Sequence, residues 1–367
     1  MTNIVHSHLS SPKSHQKGCK CPENGAPLDT LAQLTTGDLD HQKKSLNKFI
    51  KRQKAKAITM GQIFPLIDLK NRMEKSYWRS YHCNNLLLQE GQKVTTKYCN
   101  ARWCSVCNRI RMAKMINAYS IPILKFKDLH FVTLTTPNVV ADNLKNEIEG
   151  MYKSWRCINK NMRKTYDLNI KGIRKLEVTF KPRTGFNPHF HILIDGKTEA
   201  KKLIELWLKR YPSASFKAQD MRRANEGSLI ELFKYTVKGI HKGTYHVEAV
   251  DIIFQALENK RTYQPFGIKK VVEEDINGIK SEPVSFKGHR DDQWRWSTLA
   301  KDWVNDDGEL FTEYIIEGKL TDWIKDLTEE LVEPEKEQDV IKLNRAEANN
   351  AKWGFYSEMA DELVNTS

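Results

Sequence analysis

A chain of 367 residues with 40% hydrophobic side chains has enough apolar material for one large domain or two ordinary ones. No stretch approaches the roughly 18 apolar residues of a membrane span. The polar start, Met1 to Lys20, lacks the apolar core of a secretory signal, so the cytoplasm is the expected location.

The net charge of +13 is uneven. Residues 1–130 carry 22 Lys+Arg against 8 Asp+Glu, residues 131–260 carry 23 against 14, and residues 261–367 reverse the sign with 14 against 24. A basic front two-thirds suits contact with phosphate backbones and implies salt-dependent binding. It serves plain solubility equally well, so charge alone does not decide.

Residues 1–40 are poor in apolar side chains and rich in Ser, Gly, Pro and His, and read as a disordered basic arm that includes Cys19 and Cys21. Residues 41–58 carry Lys43, Lys44, Lys48, Lys51, Arg52, Lys54 and Lys56 and predict a basic helix, either along DNA or solvated. The segment 41–127 also holds Cys83, Cys99, Cys104 and Cys107. Seven cysteines in a cytosolic chain point to metal or thiol roles rather than disulfides. Cys99-x4-Cys104-x2-Cys107, with Cys83 before it, offers the four thiolates of a tetrahedral structural Zn²⁺; His82 is a substitute ligand and Cys157 a core residue. Arg102, Arg109 and Arg111 beside the cluster are candidate DNA contacts.

Residues 128–260 form the next expected unit. Leu129–Thr135 reads as a strand, stopped by Thr136-Pro137-Asn138. A helix over 141–165, strands over 172–181 and 188–195, a helix over 198–210, an extended piece over 214–222 and a helix over 228–239 follow. Strands separated by helices, without Rossmann-type glycine turns, predict an α+β fold around an antiparallel sheet. Residues 261–367 read as an acidic, mainly helical region with a hairpin near Gly278. Trp294, Trp296 and Trp303 are expected to form a hydrophobic cluster there.

Two stretches carry chemistry. In Pro188-His189-Phe190-His191-Ile192 the histidines lie two apart on a strand, so both imidazoles share a face. If the strand over 172–181 pairs alongside, with Leu176, Val178 and Phe180 on the apolar face, Glu177 joins the histidines and Lys175 faces the same site, where it is a further candidate DNA contact. Two His and one carboxylate leave open positions that suit Mg²⁺ or Mn²⁺ acting on a phosphodiester. A half-buried His pair on a sheet carries the same pattern without a metal. In Glu231-Leu232-Phe233-Lys234-Tyr235-Thr236-Val237-Lys238-Gly239, helical spacing puts Glu231, Tyr235 and Lys238 on one face. Phosphoryl transfer needs a nucleophile, a cation and a proton-handling group, and these three residues match in type.

Three blocks in this order, Phe131–Asn138, Asn187–Ile194 and Glu231–Lys238, resemble the plasmid rolling-circle replication initiators of the HUH endonuclease superfamily, in particular the single-tyrosine group. The resemblance implies an HUH-type central antiparallel sheet flanked by helices. It implies that Tyr235 attacks the origin phosphodiester, keeps a 5′-phosphotyrosine link and frees a 3′-OH for a host polymerase. Glu231 would then help water resolve the termination cut, and a host helicase is a further expected partner. Related initiators carry a similar cysteine cluster before their first motif. A relaxase or transposase of the same chemistry, and a non-enzymatic zinc-bearing DNA-binding protein or repressor, are the alternatives. No Gly-x4-Gly-Lys-Ser/Thr loop appears, which disfavours a relaxase-helicase.

Overall fold

A computed structural model describes residues 36–233, 240–241, 244–268, 284–285 and 291–329. The arm expected over 1–40 falls outside this set up to residue 35, as do the residues around Gly278. The described elements are α1 (Thr36–Ile67), α2 (Glu74–Tyr81), β1 (Leu86–Glu90), β2 (Lys93–Thr96), α3 (Ser105–Leu124), β3 (Leu129–Thr135), α4 (Ala141–Thr165), β4 (Gly172–Lys181), β5 (Gly185–Asp195), α5 (Lys197–Arg210), β6 (Asp220–Arg223), α6 (Glu226–Phe233), β7 (Ile240–His241), β8 (Thr244–Tyr245), α7 (Val247–Leu257), β9 (Tyr263–Phe266), β10 (Val284–Ser285), β11 (Asp292–Ser297), β12 (Asp302–Val304) and α8 (Leu320–Glu329). The architecture is α+β with antiparallel sheets. None of the described helices is long and apolar enough to cross a membrane.

The principal sheet has the order β6-β3-β5-β4-β9, with every neighbouring pair antiparallel. One face is mainly apolar, with Arg174 buried among its side chains. Val132, Leu134, Leu176, Val178, Phe190, Ile192 and Ile194 pack there against the buried stripe of α4 (Leu144, Ile148, Met151, Trp155, Ile158, Met162), Trp207 of α5 and Ile253 of α7. The α4 stripe recurs every three or four residues, the period that turns an amphipathic sequence into a docked helix. The opposite face is divided. Phe131, Ile173 and Leu193 meet Met112, Met115 and Tyr119 of α3 and Leu232 and Phe233 of α6, whereas the rest of that face carries the polar residues of the site.

The β4–β5 turn is tighter than the sequence suggests, since β5 starts at Gly185 rather than 188 and pairs Lys181 with Gly185. Gly185 has φ +80°, and a Cβ there would lie 2.5 Å from the Val139 carbonyl oxygen. Glycine is what lets the loop after β3 bridge to Phe186 through two backbone hydrogen bonds of 2.8 and 2.9 Å. Pro188 lies one residue beyond the last β3–β5 pair, Thr135 with His189, so its missing N–H spares that ladder. Asn187 Nδ2 donates to the Thr136 carbonyl at 3.0 Å and ties the two chain ends together there.

A second sheet, β10-β2-β1-β11-β12, joins residues 86–96 to residues 284–304. The mainly helical reading of 261–367 is therefore corrected over its described part, which holds four strands and one helix. The Asp292-Gln-Trp-Arg-Trp-Ser segment alternates in period two. Its acidic surroundings disguise a strand whose partner lies some two hundred residues away in sequence. The three tryptophans do cluster: Trp294 and Trp303 are buried with Phe49, Leu87, Val94 and Phe311, and Trp296 packs alongside.

The predicted basic helix is longer than 41–58, and the part after Phe49 is mostly interior. Phe49 enters the second-sheet core, Ala55 the cysteine cluster, Ile58 the principal-sheet core, and Ile63, Leu66 and Ile67 pack with Tyr77 of α2 and Val250 of α7. A helix that contributes to four apolar clusters is a spine, which corrects the picture of a solvated or DNA-lying basic rod. Asp251 of α7 adds a polar tie, accepting from Tyr77 Oη at 2.6 Å and Asn71 Nδ2 at 2.8 Å.

Candidate metal centres

Alternation along β4 and β5 sets the first centre. Their register pairs Glu177 with His189 and Lys175 with His191, and β3 adds Thr135 and Thr133 opposite the same two histidines. All six side chains belong to one face because opposed residues in a ladder point the same way. Glu177 Oε1 lies 3.8 Å from His189 Nε2, and Glu177 Oε2 lies 3.7 Å from His191 Nε2. One ligand atom from each residue falls within 4.8 Å of the others, so the triad could hold a metal ion.

The imidazoles are aimed. His189 Nδ1–H donates to the Asn187 carbonyl at 3.0 Å, an acceptor that fixes the tautomer and leaves the Nε2 lone pair toward Glu177. His191 Nδ1 lies 3.2 Å from Thr133 Oγ1, which gives its Nε2 the same direction. Such outer partners orient metal-binding imidazoles. Sequence reasoning missed both; the threonines of β3 carried a signal for His191, whereas the His189 acceptor is a backbone carbonyl that no residue type marks. Two nitrogens and a carboxylate oxygen, each oriented inward, are a donor set that suits a divalent ion with open positions.

Burial lowers His189 to a pKa of about 4 and His191 to about 2, with the neighbouring Lys175 ammonium adding to both effects. Both rings are therefore neutral ligands at pH 5.5. An ordinary imidazole titrates near 6.5 and is about 90% protonated there, so an exposed pair would lose roughly a hundredfold in metal affinity between pH 8 and 5.5. The expected result here is a change below about threefold in Mn²⁺ affinity, read by calorimetry over that range; a hundredfold loss would reject the buried, oriented pair. Stability of the metal-free protein moves the other way with acid. Unfolded histidines take up protons below about pH 6.5 and the folded ones resist until about 4 and 2, so this contribution is lost as pH falls.

Lys175 is buried beside the triad, its Nζ 3.0 Å from Glu177 Oε2 and 5.9 Å from the Tyr263 ring centre. Burial lowers its pKa, opposed by the Tyr263 hydroxyl and the Glu231 carboxylate. Its place is inside the site, so it is not an open phosphate contact.

The second centre forms where the end of α2, the β1–β2 hairpin and the start of α3 meet. Cys83, Cys99, Cys104 and Cys107 bring their sulfurs within 4.8 Å of one another, with Cys107 3.6 Å from both Cys83 and Cys99. Disulfides need about 2.05 Å, whereas a tetrahedral zinc with bonds of about 2.3 Å spaces its sulfurs by about 3.8 Å. The four thiols thus fit one structural Zn²⁺. Cys99 N–H donates to Cys83 Sγ and Ala101 N–H to Cys99 Sγ, both at 3.4 Å, the backbone donors that favour thiolate. Burial pushes the Cys104 thiol well up, so that sulfur would ionise only against a bound cation.

Two buried cations flank the cluster. Lys56 Nζ donates to the Tyr81 carbonyl and Asn85 Oδ1, both at 2.5 Å; burial lowers it to about 8 while the Cys83, Cys104 and Cys99 sulfurs pull it up. Arg111 donates to Asn108 Oδ1 at 2.9 Å and to the Asn100 carbonyl at 3.0 Å. Turned inward and buried, Arg111 supports the cysteine loop, which corrects its reading as a DNA contact. Arg102 is exposed and donates to the Lys260 carbonyl; Arg109 is half-buried. His82 lies outside the sulfur cluster, stacked on Trp78.

Of the proposed catalytic helix, Glu231 is described and Tyr235 and Lys238 lie outside the described residues. Glu231 is exposed and ion-paired with Arg222, whose guanidinium sits 4.4 Å over the Phe131 ring on the histidine face.

Antiparallel sheet, His-His-Glu cluster and four-cysteine cluster together define an α+β protein with two candidate metal centres. The family model described as "Replication protein" (Rep_1) matches residues 91–200, which span Cys99 to Cys107, Glu177 and both histidines but stop before Tyr235. A curated relative, "Protein rep" of Staphylococcus aureus, is 33% identical over 183 residues, covering 42% of this chain and 79% of the relative. The chain belongs to this Rep_1 family of replication proteins. No solved structure matches it significantly.

Proposed function

We propose that the chain is a plasmid replication initiator that nicks one strand at a double-strand origin and rejoins it after rolling-circle synthesis. The observation that carries this reading is the convergence of His189, His191 and Glu177 on one sheet face, with both Nε2 atoms directed at the carboxylate. Residues 128–260 would be the HUH-type nicking unit. Residues 41–127 would be its zinc-bearing DNA-binding segment, with 1–40 an arm and 261–367 an acidic appendage.

A divalent cation, Mg²⁺ or Mn²⁺, held by the triad would polarise the scissile phosphodiester. The Tyr235 phenol oxygen would attack phosphorus as it gives up its proton, the P–O3′ bond would break, the 3′ oxygen would leave as a hydroxyl, gaining in net terms the proton the phenol lost, and the 5′-phosphate would stay esterified to tyrosine. Because one phosphodiester is exchanged for another, the link retains the energy needed for rejoining. Lys238 would offset charge on the phosphate, and Glu231, released from Arg222, would accept a proton from the water that resolves termination. Lys175, 3.0 Å from Glu177 Oε2, would hold that carboxylate in place. Arg102 and Arg109 would contact origin phosphates, and host helicase and polymerase would take over the freed 3′ end.

The test is covalent capture. Supercoiled DNA carrying the coding locus and its flanks is incubated with protein and Mn²⁺, then denatured. Wild-type protein is expected to leave nicked DNA with protein attached, and Tyr235→Phe to lose the adduct by more than about 10³-fold while still binding. An undiminished adduct from Tyr235→Phe refutes the nucleophile; no adduct from wild-type protein, with DNA binding intact, favours a non-enzymatic binding protein.

A further inference from the structure

The half of α4 from Gly150 to Thr165 holds five cations, Lys153, Arg156, Lys160, Arg163 and Lys164, and no acidic residue; its first half holds Asp142, Glu147 and Glu149. Arg156, Lys160 and Arg163, spaced by four and three, share a helix face. With Asn159, Trp155 and Gln264 of β9 they line a groove of about 260 Å³. All three are exposed, and no carboxylate among the described residues pairs with them.

Behind the groove wall lies a further cation. Arg174 is fully buried, with Tyr152, Trp155 and Phe190 ring centres at 4.7, 5.2 and 4.3 Å. Its Nη2 donates to Gln264 Oε1 at 2.8 Å, which leaves the amide NH₂ of Gln264 for a ligand, and its Nε and Nη1 have no hydrogen-bond acceptor. A buried charge is screened little by salt, so it adds to the potential of the groove. Cations near a helix C-terminus also complement its dipole, which accounts for Arg163 and Lys164. That effect fades within the last turn and does not reach Arg156 or Lys160.

The groove is small for a cofactor site, which usually starts near 300 Å³ and is mostly apolar. Its charge suits a phosphodiester backbone. Position supplies the rest: β9 is the edge of the principal sheet, Tyr263 opposes Lys175 on the triad face, and the next residue, Gln264, opposes Arg174 on the other. We infer that the groove between α4 and β9 is a second DNA-contact site, taking the backbone of the strand that crosses the triad and turns round the β9 edge. The path rests on the nicking reading above; binding in the groove does not.

The experiment uses full-length protein and a fluorescent 30-nucleotide single strand of random sequence, with affinity measured from 50 to 300 mM KCl. Each phosphate contact contributes about 0.7 to the slope of log affinity against log salt for single strands. Arg156→Ala/Lys160→Ala/Arg163→Ala is expected to lower that slope by about 2 and to weaken binding at least tenfold at 100 mM KCl. The control Lys201→Ala/Lys209→Ala/Lys217→Ala, which removes the same charge elsewhere, is expected to change it by less than about 0.5. A slope change below 1 in the groove variant, or an equal change in the control, overturns the inference. Thermal melts of both variants identify loss by misfolding, and the milder Lys160→Gln/Arg163→Gln should then show a slope drop above 1. If wild-type protein binds but does not nick, and the groove variant loses slope, the nicking reading fails and the groove stands.

Discussion

His189→Ala and His191→Ala should each lower metal-dependent strand cleavage by about 10³-fold and leave the fold in place. Charge stabilisation at a phosphoryl centre is worth several kcal/mol; losing about 4 kcal/mol corresponds to about 10³-fold at 1.36 kcal/mol per tenfold. Either substitution removes a neutral ring from the sheet surface, so the main-chain ladder and the apolar face remain. Glu177→Ala differs, because it also strands the buried Lys175 ammonium that sits 3.0 Å from the carboxylate. Breaking a buried pair costs about 3–5 kcal/mol, so this variant should melt early as well as lose cleavage. Cleavage rates with Mn²⁺, set beside thermal melts, separate the two effects. Histidine variants that cleave at the wild-type rate would remove the triad from the mechanism.

Cys104→Ser is expected to lose bound zinc, from about one ion per chain to none, and to lower the melting temperature by more than about 10 °C. Structural zinc contributes about 10–16 kcal/mol of apparent binding energy in small domains; a third of that, at 2–4 °C per kcal/mol, already gives such a shift. The position makes the effect spread. Cys104 is fully buried and caps α3, Thr59 of α1 accepts from the Ser105 N–H at 3.0 Å, and Lys56 and Arg111 flank the sulfurs as buried cations. Losing the metal dianion of four thiolates would leave those two cations opposed by little. Elemental analysis and calorimetry with and without chelator measure it. Stoichiometric zinc retained by Cys104→Ser, or a melt indifferent to chelator, would rule out a structural metal at this cluster.

Much of the principal sheet is legible in the chain. The 3.6-residue stripe from Leu144 to Met162 marks α4 to the residue, and the alternation through Leu176, Val178 and Phe190 marks the apolar face of β4 and β5. Once that face is assigned, Glu177, His189 and His191 have one side left to occupy. Cysteine spacing likewise marks the second cluster, because four sulfurs in a reduced chain have few stable arrangements besides a metal. What was misread had its cause at a distance. Lys56 and Arg111 look like surface cations until α1 and α3 are packed on the cysteines. β11 lies in a stretch that reads as acidic and mainly helical until β1 and β12 supply its ladders.

Local periodicity and residue chemistry, then, determined by themselves the element types from β3 to α5, the shared face of the two histidines and the four sulfurs of the cysteine cluster. Only the tertiary structure decided which cations are buried partners and which are open to a ligand, that Asn187 and Thr133 aim the two rings, and that α1 links the two sheets. The division follows from range. Side-chain direction repeats every two or 3.6 residues and is written locally, whereas burial and pairing depend on contacts between residues far apart in sequence.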